Sequence, residues 1–571
     1  MGPGPQMSVP LSRRAWLLLA VALALPALWP LLGPGYFLKA HDGPHSLFFL
    51  VEFHRAIADG AVVPRWCTDQ ALGYGYPTFA FYSPLAYYLA EGFHLAGMDI
   101  PSAVKATHAV AFLLGLLGMF RCAELFLGPV AGALAALAYA YAPYRFVDMY
   151  VRSALAESLA LGVAPWALWA FLRLSRCPQR ARLAGAGFSF GLLLLAHNVT
   201  ALLCVPVLAL LVFAECLGRR YGRLRAAVWC TAGGVLGVCL AAMSLLPALL
   251  ERQYIVEAQW THATYELQRH FVYLGQLFIP FWGYGYAVEG PADGMSFQLG
   301  VSLLCLAAFG AGAWRRRWLQ LGSMGFLIAA CVFLLLPASA PVWGALRPLA
   351  LVQFPWRLLG PLVLCLALLS GGAARAAKGP APAIVLLCLP VLEGLAYAQP
   401  SLLLPAERAS QPVAAVEFEL EYPDMRGMTA FAQQYPQDSP KVEAYLAGEP
   451  VPLASASVPG ATVRTLHHGG HVQAVFVALP EEGRVLFFTY YYPGWRATVD
   501  GRAVAIERWG PLALIAVPVP AGEHVVMLRF GETPLRAAAD CISLGAGLLI
   551  LFLALPPRRG TKAEQGEKGQ C

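Results

Sequence analysis

The sequence predicts an all-α polytopic membrane protein of about 12 transmembrane helices, with an extracytoplasmic β-sandwich-like domain before the last helix. Three observations predict it. Hydrophobic residues make up 58% of the 571 positions, charged residues only 13%, and the mean hydropathy is +0.59. A soluble domain carries about 25% charged residues, so a soluble enzyme, a disordered chain and a coiled coil are excluded. Apolar runs of bilayer-crossing length recur along the chain, separated by short basic loops. One long polar stretch, 400–536, lacks helical periodicity and alternates short apolar strands with turn signals.

The first apolar run follows Ser12-Arg13-Arg14 and reaches about Phe37. It is too long for a signal-peptide core and reads as an uncleaved first helix with a cytoplasmic N-terminus. Later spans fall near 103–121, 129–146, 154–172, 182–197, 199–217, 226–247, 297–313, 319–337, 355–373, 381–398 and 538–556. The basic clusters between them are Arg173/Arg176/Arg180/Arg182, Arg219/Arg220/Arg223/Arg225, Arg315/Arg316/Arg317, Arg375/Lys378 and Arg558/Arg559/Lys562. The positive-inside rule places all of them in the cytoplasm. Parity between Arg14 and Arg173 then requires one apolar segment not to cross. The aromatic segment 78–97, with Pro84 and Glu91, is that segment, a juxtamembrane helix lying outside. The net charge of +7 (40 Lys+Arg against 33 Asp+Glu) resides in these loops, so it speaks of topology and no nucleic acid is expected.

This topology divides the chain into a membrane domain over 1–399 with an outer loop at 37–102, an outer β domain over 400–536, and a last helix with a cytoplasmic tail over 537–571. Strands are expected at Arg484–Tyr490, Arg496–Val499, Ala513–Pro518 and His524–Phe530. Asp500-Gly501 is a two-residue hairpin signal, and Ala521-Gly522-Glu523 a second turn. No cysteine lies between 400 and 536, so no disulfide framework exists there, and no Cys pair has zinc-ligand spacing. His467, His468 and His471 beside Gly469-Gly470 read as surface-loop histidines, with no carboxylate nearby in the sequence to complete a metal site.

Polar residues without a topological role converge on the outer side. The first outer segment holds His41-Asp42-Gly43-Pro44-His45. A carboxylate just past the first span can accept a proton from a hydroxyl, and His41 and His45 flank it to orient it or meet a phosphate. Gly73-Tyr74-Gly75-Tyr76-Pro77 lacks the Lys-Ser/Thr of a phosphate loop and reads as a tight interfacial turn; Gly283-Tyr284-Gly285-Tyr286 repeats it. Arg145, Asp148, Arg152 and Glu157 have helix-compatible spacing, so Asp148 can pair with either arginine. An arginine held at the membrane surface also suits a phosphate leaving group. His197-Asn198 sits where two short helices meet, and such polar residues need partners. Gln353-Phe354-Pro355-Trp356-Arg357 opens another span from outside, either as an interfacial anchor or as a lipid-phosphate clamp.

Taken in order, these motifs resemble a bacterial membrane-protein family labelled "6-pyruvoyl-tetrahydropterin synthase related". They are His-Asp-Gly-Pro-His, Pro-Arg-Trp, Gly-Tyr-Gly-Tyr-Pro, Tyr-Val-Arg-Ser-Ala-Leu-Ala-Glu, His-Asn and Gln-Phe-Pro-Trp-Arg. Tyr491-Tyr-Pro-Gly-Trp495-Arg-Ala-Thr-Val-Asp-Gly501 is similar to the tail domain of YfhO-type proteins. Pterin chemistry is not carried over, since no zinc-binding histidine set is present. Both groups look like relatives of the GT-C glycosyltransferases, which take a sugar from a polyprenyl-phosphate donor on the outer membrane face. The resemblance implies a GT-C-like membrane domain in the inner (cytoplasmic) membrane, both termini cytoplasmic and the active face extracytoplasmic. It implies Asp42 as catalytic base and Arg152 and Arg357 as donor-phosphate ligands. His41, His45, Glu157, His197, Asn198, Gln353 and Trp356 complete the candidate substrate site. No cofactor is implied, and a divalent metal is not indicated.

The expected function is hexosyl or pentosyl transfer from a polyprenyl-phosphate sugar to an extracytoplasmic glycan or lipid acceptor. The alternatives are a lipid-linked glycan transporter or flippase and a non-catalytic cell-envelope assembly protein. Ion-coupled transport needs ionisable residues near the bilayer midplane. The spans 226–247, 297–313, 319–337 and 355–373 carry no charge beyond their ends.

Overall fold

The computed structural model describes residues 11–256, 266–292 and 294–556. The helices are α1 (Arg13–Ala24), α2 (Gly43–Ala58), α3 (Thr78–Phe81), α4 (Leu85–Leu95), α5 (Ile100–Leu127), α6 (Pro129–Ala140), α7 (Pro143–Phe146), α8 (Leu155–Arg176), α9 (Arg180–Ala196) and α10 (Asn198–Leu217). They continue as α11 (Arg223–Leu240), α12 (Ala242–Leu250), α13 (Val301–Gly310), α14 (Trp318–Leu335), α15 (Ala340–Ala345), α16 (Leu359–Ser370), α17 (Pro380–Gly394), α18 (Val413–Glu421), α19 (Val442–Ala447) and α20 (Pro534–Ala554).

Local chemistry sets the helix ends. Ser12 caps α1, Asp99 caps α5 through a 2.9 Å bond from Ser102 N, and Thr533 caps α20 just before Pro534. Gly128, at φ 88°, ends α5, and Pro129 starts α6 at once. Among the described residues, nine helical runs are long and apolar enough to cross a membrane. Helix also forms at the two shorter predicted spans, α6 with 12 residues and α9 with 17.

The 35-residue run Val301–Leu335 folds back on itself. Leu299 N donates to Leu277 O at 3.0 Å and Val272 N donates to Leu335 O at 2.8 Å, so both ends return to one segment. A straight helix of that length would part its ends by about 50 Å. The reversal falls at Ala311–Arg317, on the three arginines that the charge pattern singles out. The last basic cluster, Arg558/Arg559/Lys562, lies outside the described residues. Segment 78–97 forms only the 4-residue α3 and 11-residue α4, and α4 packs on α2, α5 and α8. Eleven helical residues span about 16 Å, half a bilayer core.

Nine strands lie between Ala454 and Phe530: β1 (Ala454–Ala456), β2 (Thr462–His468), β3 (Val472–Leu479), β4 (Gly483–Tyr490), β5 (Trp495–Val499), β6 (Arg502–Val504), β7 (Glu507–Trp509), β8 (Leu514–Val519) and β9 (Gly522–Phe530). They form two antiparallel sheets, β1-β4-β8-β7 and β2-β3-β9-β5-β6. Val475, Val477, Val485, Phe487, Ile515, Val517, Val526 and Leu528 fill the core. Asp500-Gly501 turns β5 into β6 with φ 48° and 79°, as its sequence requires. Residues 400–453 differ from the strand-only expectation. They carry α18 and α19, whose 9 and 6 residues are too short to show a helical period.

The loop 65–76 is part of the β domain's core. Trp66 packs on Tyr492, Trp495 and Phe530 at centroid distances of 6.0, 5.4 and 5.3 Å. Gly75, at φ 84°, lies so close that a Cβ there would meet the Trp66 ring at 2.5 Å. Tyr74 and Tyr76 are buried against the domain, so this turn is tight as expected but is not a membrane-interface anchor.

Candidate functional site

The site is built at the N-terminus of α2, where the chain leaves the first helix. Asp42 N donates to Arg152 O at 2.7 Å and His41 N to Val151 O at 3.2 Å, which joins this turn to the segment before α8. That segment is not a regular helix. Val147–Val151 forms a single π turn, and Ser153 follows with φ 56°. Such turns re-aim side chains and recur at functional sites. Here the turn brings Asp148, Arg152 and Glu157 together.

Arg152 Nη1 donates to Asp148 Oδ1 at 2.7 Å and to Glu157 Oε2 at 2.8 Å. Ser158 Oγ donates to Asp148 Oδ2, and Tyr144 Oη to Glu157 Oε1. Of the two pairings that the spacing allows, Asp148 takes Arg152, while Arg145 lies over the Tyr139 ring at 5.2 Å. Arg357 Nε lies 3.3 Å from Glu157 Oε2, so Glu157 holds both arginines. Glu157 is therefore the buried hub of the network, with its oxygens directed at protein groups.

Gln353 and Trp356 join through Arg357. Arg357 Nη1 donates to Val352 O at 2.9 Å and to Gln353 Oε1 at 3.0 Å. Phe354 N donates to Val352 O, closing a γ-turn on Gln353 at φ 63°, ψ −51°. This conformation is strained for a residue with a Cβ, and strain of this kind concentrates at ligand sites. Arg152 lies over the Trp356 ring at 4.5 Å, and Phe354 stacks on Trp356 at 4.8 Å. Trp356 Nε1 is buried with no hydrogen-bond partner among the described residues. An unpaired buried donor costs about 1–3 kcal/mol.

Asp42 stands apart from this network. Its side chain is 44% exposed, caps no backbone N–H, and lies 3.7 Å from Arg152 Nη2. His41 stacks on Tyr286 at 4.3 Å, with Nε2 2.9 Å from Gly285 O. His45 is wedged against Phe48, Phe49 and Phe418. Burial lowers the pKa of both histidines despite the nearby Asp42, which favours neutral rings over phosphate-binding cations. His197 caps α10, with Nδ1 2.8 Å from Thr200 Oγ1, within electrostatic range of Glu157. Asn198 is in the adjoining turn. Its backbone N donates to Ser83 Oγ and its side chain accepts from Val199 N, and among the described residues no bond ties it to the arginine network.

A second set of polar residues clusters at the other end of α2, and the sequence reading missed its partners. Asp59 Oδ2 accepts from His471 N and Val472 N, and His467 Nε2 lies 2.9 Å from Asp59 Oδ1. Arg55 pairs with Asp69 and donates to His468 O. His471 is buried and His468 partly so, whereas His467 stays exposed as a surface-loop residue, and carboxylates do stand beside this loop, brought from 59 and 69. Arg65 is 1% exposed and bridges Glu532, Asp540 and Met243 O. Only the buried-charge rule, that an Arg without solvent needs acids, could have flagged it. Among the described residues, no group of three or more His, Cys, Asp or Glu side chains is placed to hold a metal ion.

No family model and no curated protein matches the chain. Solved structures do. The chain is similar to the arabinofuranosyltransferase AftD from Mycobacteria at 18% identity and TM-score 0.45, covering 69% of this chain and 27% of that one. ArnT from Cupriavidus metallidurans, solved with undecaprenyl phosphate, is 15% identical at TM-score 0.39, over 64% of this chain and 61% of ArnT. The arabinosyltransferase EmbB from Mycobacterium smegmatis is 12% identical at TM-score 0.35, over 93% of this chain and 64% of EmbB. The chain thus spans less than two thirds of each of these proteins.

Proposed function

We propose that this protein is a membrane glycosyltransferase of the GT-C type. It moves a hexosyl or pentosyl group from a polyprenyl-phosphate donor to an extracytoplasmic glycan or lipid. One observation carries the reading: a half-exposed carboxylate, Asp42, borders a buried arginine pair without being consumed by it. In the proposed reaction the acceptor hydroxyl gives its proton to Asp42 as its oxygen bonds to the anomeric carbon. The bond from that carbon to the phosphate oxygen breaks, the configuration inverts, and polyprenyl phosphate leaves with the bonding pair.

Arg357 is the better placed phosphate ligand. Among the described residues, both arginines make their hydrogen bonds through Nη1, which leaves Nη2 of each to donate, and Arg357 has the unpartnered Gln353 amide nitrogen beside it. Two fork-like donors aimed at developing phosphate charge stabilise the transition state. Glu157 and Asp148 set the arginines' positions. We place the active face on the β-domain side, outside an inner (cytoplasmic) membrane, with both termini in the cytoplasm.

The test is release of free lipid phosphate from radiolabelled polyprenyl-phosphate sugars by the protein in lipid, wild type beside Asp42→Asn. Release that vanishes in the variant supports the assignment. Equal release from both, or none from any donor, removes it.

A further inference from the structure

Beside Asp42 stand two exposed tyrosine walls that the phosphate chemistry does not use. One wall is Tyr286, 57% exposed, from the loop preceding α13. The other is Tyr422, 37% exposed, the residue that follows α18. Their hydroxyls are close enough to interact, and Tyr422 also lies by Glu421. Asp42 is close enough to act on the Tyr286 hydroxyl electrostatically.

Both walls are held from behind. Tyr286 stacks on His41, and Gly283 and Gly285 pack so tightly on Gly294 that a Cβ at either would come within 2.9 Å of its backbone. Tyr422 stacks on Phe418 at 4.8 Å, and Phe418 packs on His45 at 4.2 Å. Glu419 anchors α18 by accepting from Ala71 N at 2.8 Å and Leu72 N at 2.6 Å. Two chain regions more than a hundred residues apart thus present rigid, exposed aromatic faces beside one exposed carboxylate.

We propose that the Tyr286–Tyr422 pair is the acceptor subsite and that it takes a neutral carbohydrate. The inference rests on the glycosyl-transfer reading of Asp42. Rigid tyrosines offer a large apolar face with a polar tip at low entropic cost, which matches the C–H faces and hydroxyls of a pyranose or furanose ring. A sugar seated on them hydrogen-bonds to their hydroxyls. Its own hydroxyl then lies beside Asp42. Asp42 and Glu421 give the subsite two carboxylates, so an anionic sugar is repelled where a neutral one is not. Membrane-headgroup anchoring is the rival role for exposed tyrosines. Here the two rings are backed, directly or through Phe418, by the histidines that flank a carboxylate.

The experiment uses the full chain in lipid nanodiscs and saturation-transfer NMR with neutral oligosaccharides of glucose, mannose, galactose and arabinose, and with a uronic acid oligomer. The wild type is expected to bind at least one neutral probe, and the uronic acid oligomer at least tenfold more weakly. Tyr286→Ala and Tyr422→Ala should each lose about tenfold in affinity, while Tyr286→Phe keeps most of it. Asp42→Asn should release no lipid phosphate and should narrow the gap between the neutral and uronic acid probes. Failure of every neutral probe, or wild-type affinity in both alanine variants, overturns the subsite. Lipid association lost in those variants with sugar affinity intact assigns the tyrosines to anchoring and also overturns it. Tyrosine-dependent sugar binding without lipid-phosphate release keeps the subsite and removes the transferase reading.

Discussion

The two ends of α2 carry similar residues in opposite states. Towards its C-terminus, the oxygens of Glu52 and Asp59 are met by backbone N–H groups, Thr68 and Asp69 on Glu52 and His471 and Val472 on Asp59, as Ala71 and Leu72 meet Glu419 of α18. At its N-terminus, Asp42 has no such donors among the described residues, is half exposed, and lies 3.7 Å from Arg152. Carboxylates saturated by backbone are joints between the membrane domain and the β domain. A carboxylate left unsatisfied beside buried arginines is, on the proposed reading, the one open to a substrate. Residue type does not separate the two, but what completes each oxygen's hydrogen bonds does.

The sharpest test of that contrast removes the charge at either end. Asp42→Asn should lower transfer by about 10²–10⁴-fold, the usual contribution of a general base. Asp59→Asn should leave turnover within a few-fold. Comparable losses of lipid-phosphate release in both would erase the distinction. Glu157→Gln leaves two buried arginines short of a counter-charge and should destabilise the membrane domain by about 3–5 kcal/mol, read as a lowered unfolding temperature in detergent. Arg357→Lys keeps the charge but loses the fork, and kcat should fall by about 10–100-fold with the unfolding temperature little changed.

Gly469→Ala tests the joint. A Cβ there would meet Asp59 Oδ2 at 2.1 Å, so the hairpin must withdraw from α2 at a cost of about 1–3 kcal/mol. Proteolysis of the β domain should speed up accordingly.

The same joint should also carry a pH dependence. Burial lowers the pKa of His468 to about 3 and of His471 to about 4. A histidine held neutral in the fold contributes its full stability above the unfolded pKa of about 6.5, and loses it as pH falls towards the folded value. Stability should therefore fall between pH 6.5 and pH 4, by about 2 kcal/mol per group at pH 5. His471→Gln should flatten the curve of unfolding temperature against pH. An unchanged slope would show that protonation is not resisted there.

Much of the architecture was legible because its causes are local. Apolar length, arginine runs and Asp500-Gly501 act over a few residues, and helices and a hairpin stand where those signals lie. The candidate site was legible in part. Asp42, Arg152, Glu157, Gln353, Trp356 and Arg357 do meet, though Asn198 bonds elsewhere and Glu157 faces its arginines. Short α18 gave no period to read, yet it supplies Phe418, Glu419 and, just past its end, Tyr422.

The sequence by itself determined a membrane chain with a β domain near its end, because burial of apolar surface and turn chemistry are written in neighbouring residues. It also determined which residue types were available for phosphate and proton chemistry. Only the tertiary structure decided which carboxylate would be exposed and which sealed. That choice depends on backbone donors from distant segments: 471–472 for Asp59, 71–72 for Glu419, and none for the side chain of Asp42. Hydrogen-bond satisfaction is a property of the folded neighbourhood, and no local pattern encodes it.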